Sequence, residues 1–278
     1  MSATRPRTAF VTGASRGIGK QTAVHLARAG LDVAIGARTV HEGEGRDDGR
    51  EGGPPLPGSL EETAALVEAE GRRALTVQMD LLDRPTLGAA VARIVEEWGH
   101  IDVLVNNAIS TGPGSMTPLM ETEIGMIEDK LEANCVAQMV LIREVLPGML
   151  DRGDGTIVNV TSAVALMDPP APPGEGGWGL AYAMSKAAFH RAAAHLAVEL
   201  GPRGIRAYNV EPGMVLTEKM EITQREHGLE GRYPSAPPSV PASVIAWLVT
   251  DPEAADLNGE TLTAQRVARE RSLHPAWR

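Results

Sequence analysis

Thr12-Gly13-Ala14-Ser15-Arg16-Gly17-Ile18-Gly19 is the stretch that decides the fold of this chain. It follows an apolar run at residues 8–12, which predicts a buried strand, and it opens a run with helical periodicity at residues 17–29. Glycines in such a turn let a pyrophosphate approach the backbone, and a helix N-terminus offers free N–H groups and a positive dipole end. The spacing indicates a dinucleotide site, although an ordinary glycine-rich strand-to-helix turn would show the same pattern.

Strands and helices alternate from this turn onward. Further strands are predicted at residues 32–37, 74–79, 101–106, 156–161, 205–210 and 260–263. Helices are predicted between them, including long ones at residues 122–149 and 182–200. This order predicts an α/β fold, a Rossmann-like doubly wound parallel sheet of about seven strands with helices on both faces, in a single domain over residues 1–278. Segments near 41–58 and 167–179 are rich in Gly and Pro, and we interpret them as surface insertions, the first of them mobile.

Composition excludes several classes of protein. The 278 residues are 43% hydrophobic, enough for a substantial core, and the formal net charge of −10 disfavours binding to nucleic acid. The single cysteine, Cys135, allows no disulfide within the chain, and no apolar run is long enough for a membrane helix. The histidines show no metal-ligand spacing. We therefore expect a cytoplasmic protein with no metal, no nucleic-acid partner and no membrane contact.

The end of the second predicted strand bears on the choice of dinucleotide. Ala37 stands where an acidic side chain would bind the ribose 2′-hydroxyl of NAD, and Arg38 follows it. Arg16 lies in the glycine-rich turn and could reach the same place. Two guanidiniums without a carboxylate suit a 2′-phosphate, so NADP(H) is expected in preference to NAD(H), unless both arginines are simply solvated.

Polar residues also follow the third and fourth strands. Asp80 and Leu81 could clamp the adenine, or Asp80 could cap its own turn. Asn107 and Ala108 could line the dinucleotide groove, or serve only the backbone of the turn.

A tyrosine and a lysine suggest proton transfer. Tyr182 and Lys186 lie four residues apart on a predicted helix, so their side chains share one face, although this spacing also occurs by chance. Lowering the pKa of tyrosine from about 10 by two to three units requires about 3–4 kcal/mol. An ammonium about 4 Å away supplies roughly that at an effective dielectric constant near 20. Thr161 or Ser162 could bond a substrate oxygen, and Asn134 is either a functional or a satisfied core amide.

Taken in order, the motifs resemble the short-chain dehydrogenase/reductase family over about residues 9–263. They are the glycine-rich turn, Asn106-Asn107-Ala108, Asn134, Ser162, Tyr182-x3-Lys186 and Glu211-Pro212-Gly213. The resemblance implies that Tyr182 is the general acid or base and that Lys186 lowers its pKa and holds the nicotinamide ribose. It further implies that Ser162 bonds the substrate oxygen and that Asn134 positions a water for proton exchange. It also implies a homodimer or homotetramer.

The cofactor-binding residues predicted in this way are Gly13, Ser15, Arg16, Gly17, Ile18, Gly19, Arg38, Asp80, Leu81, Asn107, Ala108, Tyr182, Lys186, Pro212, Gly213, Val215 and Thr217. Two of the neighbouring positions depart from the family pattern, because Ile109 replaces a usual Gly and Glu211 replaces a usual Asn. The spacing from Ser162 to Tyr182 is also longer than usual, which leaves Thr161 as the alternative to Ser162.

The expected function is an NADP(H)-dependent oxidoreductase that moves a hydride between the nicotinamide and a carbonyl or secondary alcohol. Apolar residues near the expected site either form a pocket for a medium-sized apolar substrate or pack their own loops; they are Met167, Trp178, Met214, Leu216 and Met220. Two alternatives remain from the sequence: a ketoacyl-thioester reductase of lipid metabolism, and an NADP(H)-binding regulatory protein without turnover.

Overall fold

The computed structural model describes residues 5–48, 53–226, 231 and 234–277. The strands are β1 (Thr8–Thr12), β2 (Asp32–Ala37), β3 (Ala74–Gln78), β4 (Val103–Asn106), β5 (Gly155–Val160), β6 (Ile205–Glu211) and β7 (Thr261–Thr263). The α-helices are α1 (Gly17–Arg28), α2 (Leu60–Ala69), α3 (Arg84–Trp98), α4 (Ile124–Leu131), α5 (Ala137–Arg152), α6 (Leu180–His190), α7 (Ala192–Leu200), α8 (Glu218–Glu226), α9 (Ser239–Thr250) and α10 (Ala264–Glu270).

The strands form one sheet in the order β3-β2-β1-β4-β5-β6-β7, and each strand is parallel to its neighbours. The predicted seven-stranded, Rossmann-like α/β sheet is therefore confirmed. The order reverses between β1 and β4, because the chain builds outward from β1 to β3 and then continues on the other side. In open parallel sheets a ligand cleft forms at this switch point, beyond the carboxyl ends of the strands.

Alternate residues of the strands contribute their side chains to two separate hydrophobic cores, one on each face of the sheet. Val11 in β1 packs with side chains of α1, α2, α9 and α10, whereas its neighbour Phe10 packs with side chains of α3, α5, α6 and α7. Side chains of a strand point alternately to opposite faces, so an unbroken apolar strand needs cover on both sides. Helices on both faces are the result.

The two long predicted helices are each interrupted. The helix predicted at 122–149 is α4 and α5 joined by a π-helical turn, Glu132–Val136, which carries Asn134. The helix predicted at 182–200 is α6 and α7, separated at Arg191. Periodicity alone does not reveal such breaks, because a π turn adds one residue without changing the apolar character of the segment.

Candidate active site

The glycine-rich turn is held by residues that follow β4. The Thr12 hydroxyl accepts hydrogen bonds from the backbone N–H groups of Asn107 and Ala108, both at 3.0 Å. The Asn107 amide donates to the carbonyl oxygens of Thr12 and Gly13 at 2.9 and 3.2 Å. A Cβ on Gly13 would lie 2.7 Å from the Cα of Ala108, so this close approach requires glycine. Asn107 thus serves the turn backbone and also lines the cleft.

A cleft of about 370 Å³ opens beyond the carboxyl ends of the strands. Its lining includes most of the predicted site residues: Gly13, Ser15, Arg16, Gly17, Ile18, Arg38, Asp80, Leu81, Asn107, Ala108, Ser162, Tyr182, Lys186, Pro212, Gly213 and Thr217. Three other predicted residues, Gly19, Asn134 and Val215, do not line it. A Cβ on Gly19 would lie 2.3 Å from the Gly13 carbonyl oxygen, so this glycine allows the turn and helix α1 to pack closely. Val215 is buried and bridges to Ala236.

Tyr182 and Ser162 both line the cleft. Burial raises the pKa of the Tyr182 phenol, and a hydrogen bond with the Ser162 side chain lowers it by less. The Thr161 hydroxyl instead lies 3.1 Å from Nδ1 of His190, outside this pair. The geometry therefore favours Ser162 over Thr161 as the hydroxyl beside Tyr182. The sequence predicts that Lys186 lowers the pKa of Tyr182. In the structure the pKa is raised instead, because the effect of burial is larger than that of the neighbouring side chains.

Lys186 lies one helical turn after Tyr182 on α6 and is 5% exposed. Its Nζ donates a hydrogen bond to the carbonyl oxygen of Val160 at 3.0 Å. Burial lowers the pKa of Lys186 to about 8, since the low-dielectric surroundings disfavour the ammonium. Tyr182 and Lys186 thus share one wall of the cleft, as their spacing predicts.

Asn134 supports this wall from behind. Its Oδ1 accepts a hydrogen bond from the backbone N–H of Ser110 at 2.8 Å, and its Nδ2 donates to the Ser185 hydroxyl at 3.1 Å. Ser185 in turn donates to the carbonyl oxygen of Tyr182 at 2.8 Å. Lys130, which is 1% exposed, donates to the Ser110 carbonyl oxygen at 2.9 Å, and burial lowers its pKa to about 8. This network joins the loop after β4 to the first turns of α6.

Glu211, a departure from the family pattern, has a clear structural role. Its carboxylate accepts a hydrogen bond from the Gly213 N–H at 2.7 Å, which closes the turn around Pro212. The Gln265 amide on α10 donates to the carbonyl oxygens of Pro212 and Met214 at 3.1 and 2.9 Å. Glu211 at the end of β6 and Gln265 on α10 therefore hold the turn that forms this part of the cleft lining.

Asp80 caps its own turn at the cleft, whereas its contact with an adenine stays a prediction. It lines the cleft, and its Oδ1 accepts a hydrogen bond from the Leu82 N–H at 3.0 Å. Its own N–H donates to the Thr86 hydroxyl at 3.0 Å. The carboxylate therefore caps the turn after β3 at the edge of the cleft.

The segment 41–58 is the largest difference from the sequence-based picture. Its described residues fold against the cleft and contribute Arg46, Asp48 and Leu56 to the lining. Arg38 forms an ion pair with Asp48. The Arg16 guanidinium donates to the carbonyl oxygens of Pro57 and Gly58 at 2.8 and 3.0 Å. Both guanidiniums therefore have partners within the protein. A 2′-phosphate site would instead need them to be available to the phosphate.

The proposed apolar substrate residues do not line this cleft. Among them, the side chains of Met167 and Met214 are 59% and 44% exposed. The cleft does contain residues that the sequence analysis missed: Thr39, Arg46, Asp48, Leu56, Leu82, Ile109, Ser110, Thr111 and Lys219. No sequence signal identifies Arg46, Asp48 and Leu56 as site residues, because their positions depend on how the segment 41–58 folds against the cleft.

Two features are absent from the described residues. Within 5–48, 53–226, 231 and 234–277, no three His, Cys, Asp or Glu side chains cluster as a metal site would require. Over the same part of the chain, no helix combines the length and the apolar character needed to cross a membrane.

The fold and the cleft together define a dinucleotide-binding α/β protein. The cradle at Gly13, the N-terminus of α1 and a cleft at the switch point between β1 and β4 fit a dinucleotide. A family model described as short chain dehydrogenase matches residues 7–46 and 56–227. The chain belongs to this family of oxidoreductases, as the motifs indicated.

Relatives cover nearly the whole chain. An uncharacterized NAD-dependent oxidoreductase of Mycobacterium tuberculosis is 34% identical over 278 residues, which cover 94% of this chain and 95% of the relative. An L-rhamnose 1-dehydrogenase (NAD(P)(+)) of Sphingomonas is 30% identical and covers 88% of this chain and 89% of its own. A 3-oxoacyl-[acyl-carrier-protein] reductase of Synechocystis is 29% identical and covers 94% and 96%.

Solved structures agree with the fold. A carveol dehydrogenase from Mycobacterium avium in complex with NAD has a TM-score of 0.77 at 25% identity, and the match covers 95% of this chain and 97% of that one. A short chain dehydrogenase from Mycobacterium paratuberculosis bound to NAD has a TM-score of 0.74 at 26% identity, with 94% and 96% covered.

Proposed function

We propose that this chain transfers a hydride between a nicotinamide dinucleotide and a carbonyl or secondary alcohol. The observation that carries the proposal is that one cleft is lined by Tyr182, Ser162 and Lys186 together with the glycine-rich turn, and that the Ser162 side chain lies close enough to lower the pKa of Tyr182. Two hydroxyls so arranged can hold one substrate oxygen between them. The residues that would hold the dinucleotide are Gly13, Ser15, Arg16, Gly17, Ile18, Gly19, Arg38, Asp80, Leu81, Asn107, Ala108, Lys186, Pro212, Gly213, Val215 and Thr217. When bound, the nicotinamide supplies the hydride chemistry.

Tyr182 is the proton donor in the direction of reduction. Its raised pKa keeps the phenol protonated at neutral pH, and this is the form that can donate to a carbonyl oxygen. Ser162 donates a hydrogen bond to the same oxygen and stabilises the charge that develops on it. Oxidation of an alcohol requires the phenolate instead, so it is favoured at higher pH.

Lys186 and Asn134 support this proton transfer in different ways. The amine of Lys186 lies on the same wall of the cleft, where it can hold the nicotinamide ribose and replace the proton that Tyr182 gives away. Asn134 acts as a positioning residue, because its two hydrogen bonds reach Ser110 and Ser185 and, through Ser185, the carbonyl oxygen of Tyr182.

A medium-sized apolar molecule is the proposed substrate. Met167 and Met214 follow Ser162 and Gly213 closely in the chain, and both expose their thioether side chains. Neither side chain lines the cleft, but both residues follow ones that do, and flexible methionine side chains adapt to apolar ligands of varied shape. A ketoacyl thioester is the second candidate, and the relative named 3-oxoacyl-[acyl-carrier-protein] reductase favours it. The acidic charge of the chain opposes docking of an acidic carrier protein.

A turnover assay tests the proposal. Oxidation of NADH and of NADPH is followed against a panel of apolar ketones, sugars and ketoacyl thioesters, with the wild type and Tyr182→Phe. We expect turnover of at least one apolar ketone and a loss of at least about 100-fold in Tyr182→Phe, the contribution typical of a general acid. Unchanged turnover in Tyr182→Phe would contradict the proposed mechanism. Binding of the dinucleotide without turnover of any substrate would favour a regulatory protein.

Arg16 and Arg38, taken alone, predict a preference for NADP(H). Both guanidiniums have partners in the segment 41–58, so their presence in the sequence does not by itself support a 2′-phosphate site.

A further inference from the structure

The carboxylate of Asp48 stands at the end of the cleft where the adenosine half of a dinucleotide is expected. Asp48 and Arg38 both line the cleft, and their side chains form an ion pair. Arg38 is the first residue after β2, the place that distinguishes a ribose 2′-hydroxyl from a 2′-phosphate in this type of fold. Asp48 therefore brings a negative charge to a position where the local sequence has only Ala37 and Arg38.

The described part of the insertion holds Asp48 in place by contacts on both sides of the cleft. Arg46 pairs with Pro55 in an antiparallel bridge, and the Leu56 N–H donates to the Gly45 carbonyl oxygen at 3.0 Å. Leu56 is 5% exposed and anchors the loop. On the opposite side, Asp47 forms an ion pair with Lys219 of α8. The loop thus crosses the cleft. The position of Asp48 is fixed by these contacts of its neighbours as well as by its own ion pair with Arg38.

The other guanidiniums near this end already have hydrogen-bond partners. Arg16 donates to the carbonyl oxygens of Pro57 and Gly58. Arg46 donates through NH1 to the carbonyl oxygens of Gly43 and Gly45 at 2.7 and 2.8 Å. A 2′-phosphate would have to compete with these backbone acceptors and would also meet the carboxylate of Asp48.

We infer that Asp48 makes this chain prefer NAD(H) over NADP(H). A carboxylate accepts hydrogen bonds from a ribose hydroxyl and repels a phosphate, and its pairing with Arg38 offsets the positive charge that would otherwise attract the phosphate. The inference rests on the proposed function only in requiring that the cleft binds a nicotinamide dinucleotide. It reverses the preference that Arg16 and Arg38 alone predict.

Binding measurements test this inference without turnover. Dissociation constants for NADH and NADPH are measured by fluorescence titration, and those for ADP-ribose and its 2′-phosphate by calorimetry. The proteins are the wild type, Asp48→Asn, Asp48→Glu and Glu44→Gln. Glu44 is the matched control, because it lies in the same insertion and its carboxylate accepts hydrogen bonds from the backbone of Val40 and His41 rather than facing the cleft.

We expect the wild type to bind NADH at least tenfold more tightly than NADPH. In Asp48→Asn this ratio should fall at least tenfold, mainly through tighter binding of NADPH to the freed Arg38. Asp48→Glu and Glu44→Gln should keep the wild-type preference. In the double variant Asp48→Asn, Arg38→Ala, the gain in NADPH binding should disappear.

Tighter binding of NADPH than of NADH by the wild type would overturn the inference, and so would an unchanged ratio in Asp48→Asn. Thermal melting shows whether that variant is folded, and Asp48→Ser replaces it if it is not. Selective NADH binding without turnover would defeat the proposed function and leave this inference standing. Failure of the wild type to bind either dinucleotide would overturn both.

Discussion

The side-chain oxygen of Asn134 accepts a hydrogen bond from the backbone N–H of Ser110 at 2.8 Å. The bond joins the π-helical turn between α4 and α5 to the loop after β4. Asn134 is 2% exposed and lies behind the cleft wall, whereas Ser110 is half-buried and lines the cleft. π turns occur frequently at functional sites, and this one directs an amide toward two elements that carry site residues.

Replacing Asn134 should destabilise the protein. In Asn134→Ala, the Ser110 N–H and the Ser185 hydroxyl lose their partner, and a buried unsatisfied polar group costs about 1–3 kcal/mol. We expect the free energy of unfolding, measured by urea denaturation, to fall by that amount. Cys135→Ala, at the next position of the same turn, is the control and should cost less than half as much. Equal losses in the two variants would show that the hydrogen bonds of Asn134 contribute little.

Two of the four lysines in the chain should titrate far below the usual range. Burial lowers the pKa values of Lys130 and Lys186 to about 8. Carbon-13 labelling of lysine at Cε gives four signals, and Lys130→Met and Lys186→Met identify two of them. We expect these two signals to shift near pH 8 in the protein without dinucleotide. Titration of these two signals above pH 10 would contradict the burial of these amines.

The lowered pKa of Lys186 also predicts that the free energy of unfolding depends on pH. Lys186 binds its proton less tightly in the folded protein, with a pKa of about 8, than in the unfolded chain, with a pKa near 10.5. Between these values the unfolded chain carries more protons, so folding becomes more favourable as the pH rises. Relative to Lys186→Met, the wild type should gain up to about 1.4 kcal/mol per pH unit in that window. Parallel stability curves from pH 8 to 10 would exclude the effect.

Replacement by alanine should have opposite effects at Gly19 and at Gly88: it should impair the protein at Gly19 and stabilise it at Gly88. In Gly19→Ala the new Cβ would lie 2.3 Å from the Gly13 carbonyl oxygen, so the turn must distort and dinucleotide binding should fall at least tenfold. Gly88 lies within α3 with open space around it, and Gly88→Ala should stabilise the protein by about 0.5–1 kcal/mol. Thermal melting and NADH titration of both variants check the contrast, and normal binding by Gly19→Ala would refute the close-packing argument.

Substitutions at the neighbouring residues Ser162 and Thr161 should affect different properties: turnover at Ser162 and stability at Thr161. Ser162→Ala removes the hydroxyl that lines the cleft and lowers the pKa of Tyr182, and we expect turnover to fall by about 100-fold or more. Thr161→Val removes a hydroxyl that lies beside His190, so it should change stability more than turnover. Steady-state rates at saturating dinucleotide make the comparison. A larger loss of turnover in Thr161→Val would assign the substrate contact to Thr161.

The sequence by itself determined the sheet and the framework of the site. Apolar runs separated by helical periodicity predicted seven parallel strands, since buried strands and amphipathic helices have different repeats. The glycine-rich turn and the pair Tyr182 and Lys186 could be assigned because each depends on residues close together in the chain. The N-cap of α2 is also local, because the Ser59 hydroxyl accepts a hydrogen bond from the N–H of Glu62, three residues later, at 3.0 Å.

Only the tertiary structure decided which groups these residues meet. Arg38 was correctly placed at the end of β2, but its partner Asp48 lies in an insertion that no periodicity describes. Likewise, Asn134 reaches Ser110 only through a π turn within an apparently continuous helix. Charge and hydrogen-bond partners depend on distances across folded loops, so residue type alone predicted a phosphate site where the folded chain presents a carboxylate.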